Sequence, residues 1–177
     1  MEKKILIVVD MQNDFTYGAL RNEMAIEVIK NVVEKVNNFD GEVIFTYDTH
    51  QENYLETSEG KKLPVTHCVE RTEGWELVNE LEAIRSANNN RCFNKPTFGS
   101  VELAETLKKE NDVEPIDEIE LIGVCTDICV ISNAMLLKAF MPEVTIKVDG
   151  TCCAGVTAES HENALKAMES CQIEVAR

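Results

Sequence analysis

No apolar run in this chain approaches the roughly 18–20 residues that cross a bilayer. The run nearest the N-terminus, Ile5 to Val9, ends at Asp10, and no cleavage-like region follows. "MEKKILIVVDMQNDF" therefore reads as a first strand, not as a secretory leader. Basic residues are also scarce, with 17 against 32 acidic ones and a net charge of −15. Such a field repels nucleic acid and anionic membranes, which argues against both as partners. Internal repeats, low-complexity tracts and linkers are missing too. The 177 residues, 44% of them hydrophobic, are expected to form one domain over residues 1–177 with a substantial core. Seven cysteines, an odd number without a leader, do not suggest a disulfide framework. A reducing cytoplasm is the expected compartment, and most of these thiols should be small buried hydrophobes.

What is present is an alternation of short β-branched runs with segments of helical period. "KILIVVD" reads as a strand buried on both faces, and "EVIFTYD" as the second strand. Between them Val28, Ile29, Val32, Val33 and Val36 recur at helical spacing. A polar loop from Thr49 to about Thr72 leads to a helix around "GWELVNELEAI", and "NRCFNK" is a third strand. Ser100 caps a helix over "SVELAETLKKEN". "EIELIGV" is the fourth strand, and "DICVISNAMLLKAF" a helix stopped before Pro142. "EVTIKVD" is the fifth strand, Thr157 caps "AESHENALKAMES", and "IEV" is the sixth. Strand–helix alternation predicts an α/β fold with a parallel sheet between two helical layers. In such sheets ligands bind beyond the carboxyl ends of the strands.

The residues at those ends form a chemical set. Asp10 follows the first strand, Asp48 and His50 the second, and Lys95 the third; Cys125, Thr126, Asp127 and Cys129 follow the fourth. Taken singly, such an Asp often caps a turn, a Lys before Pro is usually solvated, and a helical Cys is usually packing. Together they fit nucleophilic catalysis. A helix N-terminus and an ammonium favour thiolate, and a carboxylate can take the proton. Cys129 is expected in the first turn of its helix, and the backbone N–H groups of Cys125 and Cys129 suit an oxyanion pocket. Other readings of "GVCTDICV" remain open: a Cys125–Cys129 disulfide switch, or a four-thiolate zinc site with Cys152 and Cys153. A non-catalytic binding or redox module on a flavodoxin-like sheet is a further alternative.

In order and spacing "ILIVVDMQNDF", "NKPTFGS" and "GVCTDICV" resemble the three motifs of the isochorismatase-like cysteine hydrolases, and among these the nicotinamidases and related amidases. The similarity runs from Ile5 to about Met168. It implies a Rossmann-like, three-layer fold with a six-stranded, mostly parallel sheet, and a dimer or larger homo-oligomer. It also implies Asp10 as general base, Lys95 as catalytic lysine, Cys129 as nucleophile and a cis peptide between Val124 and Cys125. The implied reaction is hydrolysis of a small carboxamide through a thioester, with nicotinamide the leading substrate and NAD salvage the setting. Within the superfamily, another amide, a carbamoyl compound or a ureide is the alternative. Isochorismate is disfavoured, because that chemistry needs neither a cysteine nucleophile nor a metal.

A second cluster suggests a metal. Histidines in polar loops are commonly unliganded, but His50 and His67 are two of only three in the chain. With Asp48 they can supply three ligands to zinc, or to iron or manganese, with positions left open. Asp48, His50 and His67 match the metal ligands of the nicotinamidases, and Glu59 falls where some members add a carboxylate. In that family the metal binds the pyridine nitrogen. The sequence departs from the pattern at Thr49, where an aromatic is usual, and at Gln51, where proline is usual. Phe15 is the expected source of aromatic surface for a substrate ring, with Tyr17 and Trp75 as further candidates. No role is assigned to His161, the third histidine.

Overall fold

A computed structural model describes residues 2–177. Six strands, β1 (Lys4–Val9), β2 (Glu42–Asp48), β3 (Arg91–Lys95), β4 (Glu118–Val124), β5 (Thr145–Ala154) and β6 (Glu174–Ala176), form one sheet in the order β3-β2-β1-β4-β5-β6. Every pairing is parallel. Among the described residues the α-helices are α1 (Asn13–Thr16), α2 (Glu23–Asn38), α3 (Ser58–Lys62), α4 (Asn79–Asn88), α5 (Val101–Val113), α6 (Ile131–Phe140) and α7 (Ala158–Ser170).

The continuous apolar strands are buried because each face meets a helical layer. Leu6 and Val8 of β1 pack with Ala25, Ile29, Val32 and Val36 of α2 and Leu81 of α4. Ile5, Ile7 and Val9 pack with Leu103 and Leu107 of α5, Leu137 of α6 and Leu165 of α7. The chain winds outward from β1 to β3, then returns to β4 on the other side of β1. This reversal opens a crevice beyond the carboxyl ends of β1 and β4. Local chemistry sets the helix starts. The side chains of Asn22 and Ser100 accept from the N–H groups of Met24 and Leu103, and Thr157 and Ser160 cap α7 reciprocally.

Four boundaries differ from expectation. Helix α4 starts at Asn79 rather than near Gly74, because Leu77 is drawn into an antiparallel bridge with Gln12. The Thr49–Thr72 loop contains a 3₁₀ turn (Tyr54–Glu56) and α3, and His50 pairs with Val69. Strand β5 runs on to Ala154 through a register shift against β4, which buries Cys152 and Cys153 on opposite sheet faces. Finally, α6 is preceded by a π-helical turn, Thr126–Val130, instead of a continuous α-helix.

Candidate active site

The strand ends and the turn after β4 bring the expected residues together. Asp10 leaves β1 with a φ of 48°, a left-handed conformation that aspartate tolerates better than most residues. Its N–H donates to the Thr46 carbonyl at 3.2 Å, and the Thr46 hydroxyl donates to Asp10 Oδ1 at 2.7 Å. Gly123, at φ 114°, makes the close approach of β4 possible: a Cβ there would lie 2.2 Å from the Val9 carbonyl oxygen. The β2–β3 register sets Lys95 opposite Asp48. Lys95 Nζ is fully buried, 2.6 Å from Asp10 Oδ2, 3.3 Å from Asp48 Oδ1 and 3.3 Å from Cys129 Sγ. It also donates to the Thr97 carbonyl at 3.3 Å.

Cys129 is the fourth residue of the π-helical turn, a local geometry that recurs at functional sites. The Cys125 carbonyl accepts from the N–H groups on either side of it, Ile128 at 3.1 Å and Val130 at 3.0 Å. The Cys129 carbonyl accepts from Asn133 Nδ2 at 2.8 Å. The Val124–Cys125 peptide is cis. All seven cysteines are free. Because Cys152 and Cys153 face opposite sides of β5, they do not join Cys125 and Cys129 in a four-thiolate site.

Burial dominates the electrostatics. Desolvation pushes the Asp10 carboxyl above the usual carboxylate range, against the pull of Lys95. Burial alone would strip a proton from Lys95, but Asp10 foremost, then Cys129 and Asp48, hold it charged. The expectation of a favoured thiolate needs correction. Burial first, and Asp10 second, push the Cys129 thiol well above its ordinary value despite Lys95. Burial thus disfavours the thiolate in this geometry, and the same desolvation raises the basicity of the Asp10 carboxylate beside it.

The second cluster adjoins the first through Asp48. Asp48 Oδ2 lies 3.0 Å from His50 Nε2 and 3.4 Å from His67 Nε2, while Oδ1 faces Lys95. Ligands about 2.0–2.1 Å from a tetrahedral zinc are separated by roughly 3.3 Å, so these spacings fit the donor set. One donor atom from each of the three buried residues lies within 4.8 Å of the others. Glu59 Oε1 stands 3.7 Å from His50 Nε2 and 3.9 Å from His67 Nε2, within reach as a further carboxylate. The His67 ring is oriented from behind, with Nδ1 donating to the Val65 carbonyl at 2.8 Å and Nε2 turned to the cluster. Burial works against ionisation of Asp48, but His50, His67 and Lys95 outweigh it and hold its carboxyl below the usual range.

The aromatic candidates separate. Phe15 meets His67 edge-on at 5.7 Å between centroids. Trp75 turns away: it packs on Tyr47 at 4.9 Å, and its indole N–H donates to Thr49 Oγ1 at 2.9 Å. Tyr17 is 54% exposed. Tyr54, which the sequence did not single out, is fully buried with its ring against both His50 and His67.

Gln12 was also missed. Its buried amide accepts from the Asp48 N–H at 2.8 Å and donates to the Asp48 carbonyl at 2.9 Å and the Trp75 carbonyl at 2.8 Å. A Gln12→Glu exchange keeps the acceptor but turns a carboxylate oxygen onto two carbonyls. The affinity of the Asp48, His50 and His67 cluster for an added divalent metal, measured by competition with a chromogenic chelator, is expected to fall about 10- to 100-fold, the usual range for lost outer-shell support.

Residues 4–177 match the isochorismatase domain family. A nicotinamidase of Schizosaccharomyces pombe is 27% identical, covering 96% of this chain and 91% of that protein. The crystal structure of the nicotinamidase/pyrazinamidase PncA from Bacillus subtilis superposes with a TM-score of 0.84 at 28% identity, covering 99% of this chain and 100% of that one. A pyrazinamidase of Pyrococcus horikoshii, solved in complex with zinc, gives a TM-score of 0.78 at 26% identity over 99% of each chain.

Proposed function

The chain belongs to the isochorismatase family, and from that premise we propose that it hydrolyses a small carboxamide, nicotinamide foremost, to the carboxylate and ammonia. One observation carries the reading: Lys95 Nζ stands 2.6 Å from the Asp10 carboxylate and 3.3 Å from the Cys129 sulfur in a fully buried cluster.

Asp10 takes the Cys129 proton as sulfur attacks the amide carbon. The N–H groups of Cys125 and Cys129 hold the oxyanion, and Lys95 balances the charge on Asp10 and sulfur. Asp10 then returns the proton to the departing nitrogen, and ammonia leaves a thioester on Cys129. Water next attacks the thioester, giving a proton to Asp10. Collapse expels the Cys129 sulfur, which recovers that proton, and frees the acid. Phe15, against His67, offers the ring face for an aromatic substrate. Asp48, His50 and His67, with Glu59 beside them, would hold a divalent metal, zinc before iron or manganese. When bound there, the metal supplies a Lewis-acidic position that fixes the ring nitrogen of a pyridine carboxamide.

The test is ammonia release from nicotinamide, pyrazinamide, a carbamoyl compound and a ureide, on protein of measured metal content. Nicotinamide is expected to have the highest kcat/KM; a ureide or carbamoyl compound in first place overturns the substrate. Stripping with a chelator should lower nicotinamide turnover on the order of 100-fold, and zinc should restore it. Full activity in metal-free protein overturns the metal's part.

A further inference from the structure

The third histidine lies against the turn that carries the nucleophile. His161 Nδ1 and Thr126 Oγ1 are hydrogen-bonded at 2.7 Å, and Thr126 is fully buried. Thr126 opens the π-helical turn, directly after Cys125 and three residues before Cys129. Among the described residues this is the one side-chain partner of the Thr126 hydroxyl. A second contact supports it, since the Val156 N–H donates to Asp127 Oδ1 at 3.0 Å. The segment that brings His161 here is itself pinned. Asn22 Nδ2 donates to the Gly155 carbonyl at 2.8 Å. A Cβ on Gly155 would lie 2.8 Å from the His161 Cβ, so only glycine lets the first turn of α7 come this close.

His161 is not needed to start α7, whose N-terminus Thr157 and Ser160 already cap. Its Nδ1 is spent on the neighbouring turn instead. We infer that His161 is a positioning residue: through Thr126 it fixes the orientation of the turn from Cys125 to Cys129, and with it the sulfur and the two N–H groups that receive the oxyanion. The inference rests on the reading of Cys129 as nucleophile. Removing His161 leaves the buried Thr126 hydroxyl without its side-chain partner, and the turn relaxes to satisfy it; removing the Thr126 hydroxyl releases the turn from α7. A small misplacement of this kind falls on the chemical step, while Phe15 and the metal ligands, which lie on other elements, keep their places.

The experiment compares His161→Leu, Thr126→Val and the double variant with His161→Asn and Thr126→Ser. Asn can present a polar atom near the position of Nδ1, and Ser keeps the hydroxyl. In zinc-saturated protein, His161→Leu and Thr126→Val are each expected to lower kcat on the order of tenfold or more, with KM for nicotinamide within about twofold. The double variant should be no worse than the poorer single one, since both remove one bond. His161→Asn and Thr126→Ser should recover kcat to within about threefold. A merely structural contact would lower thermal stability while leaving kcat per folded molecule unchanged, and that result overturns the proposal. So do additive losses in the double variant. Cys129→Ala is the control: if it retains full turnover the nucleophile reading fails and takes this inference with it. If it alone is inactive while the other variants keep wild-type kcat, only the positioning role fails.

Discussion

Cys129→Ala is expected to lower ammonia release from nicotinamide by about 10⁴-fold or more, because it removes the sulfur that the proposed route uses to form the acyl intermediate. The size follows from the arrangement. Lys95 and Asp10 both converge on this sulfur, and neither can replace it: the lysine is held charged, and the carboxylate is paired to that lysine at 2.6 Å. The other cysteine of the motif, Cys125, does not take over. Its thiol is pushed up to about 12 by burial, then by Asp127, and the side chain of Lys95 hydrogen-bonds Cys129 instead. Cys125→Ala should therefore keep activity within about tenfold, as expected of a residue that contributes its backbone N–H. The measurement is turnover by continuous ammonia detection, with melting curves to verify that both variants fold. Residual turnover in Cys129→Ala above about 1% of the parent would sink the covalent route.

Much of this site was legible because its residues stand at strand ends. A doubly buried strand announces itself by an unbroken apolar run, and the first polar residue after it marks the crevice. Asp10, Asp48 and Lys95 were readable for that reason, and a parallel sheet between helical layers follows from the alternation. What the sequence hides is whatever depends on partners far along the chain. Gln12 has no periodic signature, since its role is to hydrogen-bond the backbone of Asp48, 36 positions away. Trp75 reads as part of a helix, yet a bridge to Gln12 holds Leu77 extended and turns the indole toward Thr49. The π-helical turn is invisible for a different reason: one residue inserted into a helical repeat barely disturbs its pattern. The ionisation of Cys129 is hidden as well. Residue types at a helix start suggest thiolate, but full burial reverses the sign. His161 combines both difficulties, as an unremarkable helical position whose partner lies 35 residues earlier.

That reversal makes Asp10 the residue on which proton movement depends, and Asp10→Asn is expected to lower kcat about 10³-fold, within the usual worth of a positioned base. Asn keeps the shape and can still accept from Thr46, whose hydroxyl lies 2.7 Å from Asp10 Oδ1, but it cannot carry a proton between sulfur, nitrogen and water. The pH profile separates this from simple damage. Desolvation raises the Asp10 pKa above its ordinary value, so the carboxyl is neutral and useless as a base below that raised pKa and ionised above it. Activity of the parent enzyme should thus fall as pH drops through a value higher than an ordinary aspartate would give. With the metal content held constant across the pH range, the Asp10→Asn variant should show a flat profile over the same range. An acid limb that persists unchanged in the variant would assign the titration to another group and remove Asp10 from the proton path. A limb that vanishes together with the rate would mean that the carboxylate beside Lys95, and not a preformed thiolate, lets this buried cysteine react at neutral pH.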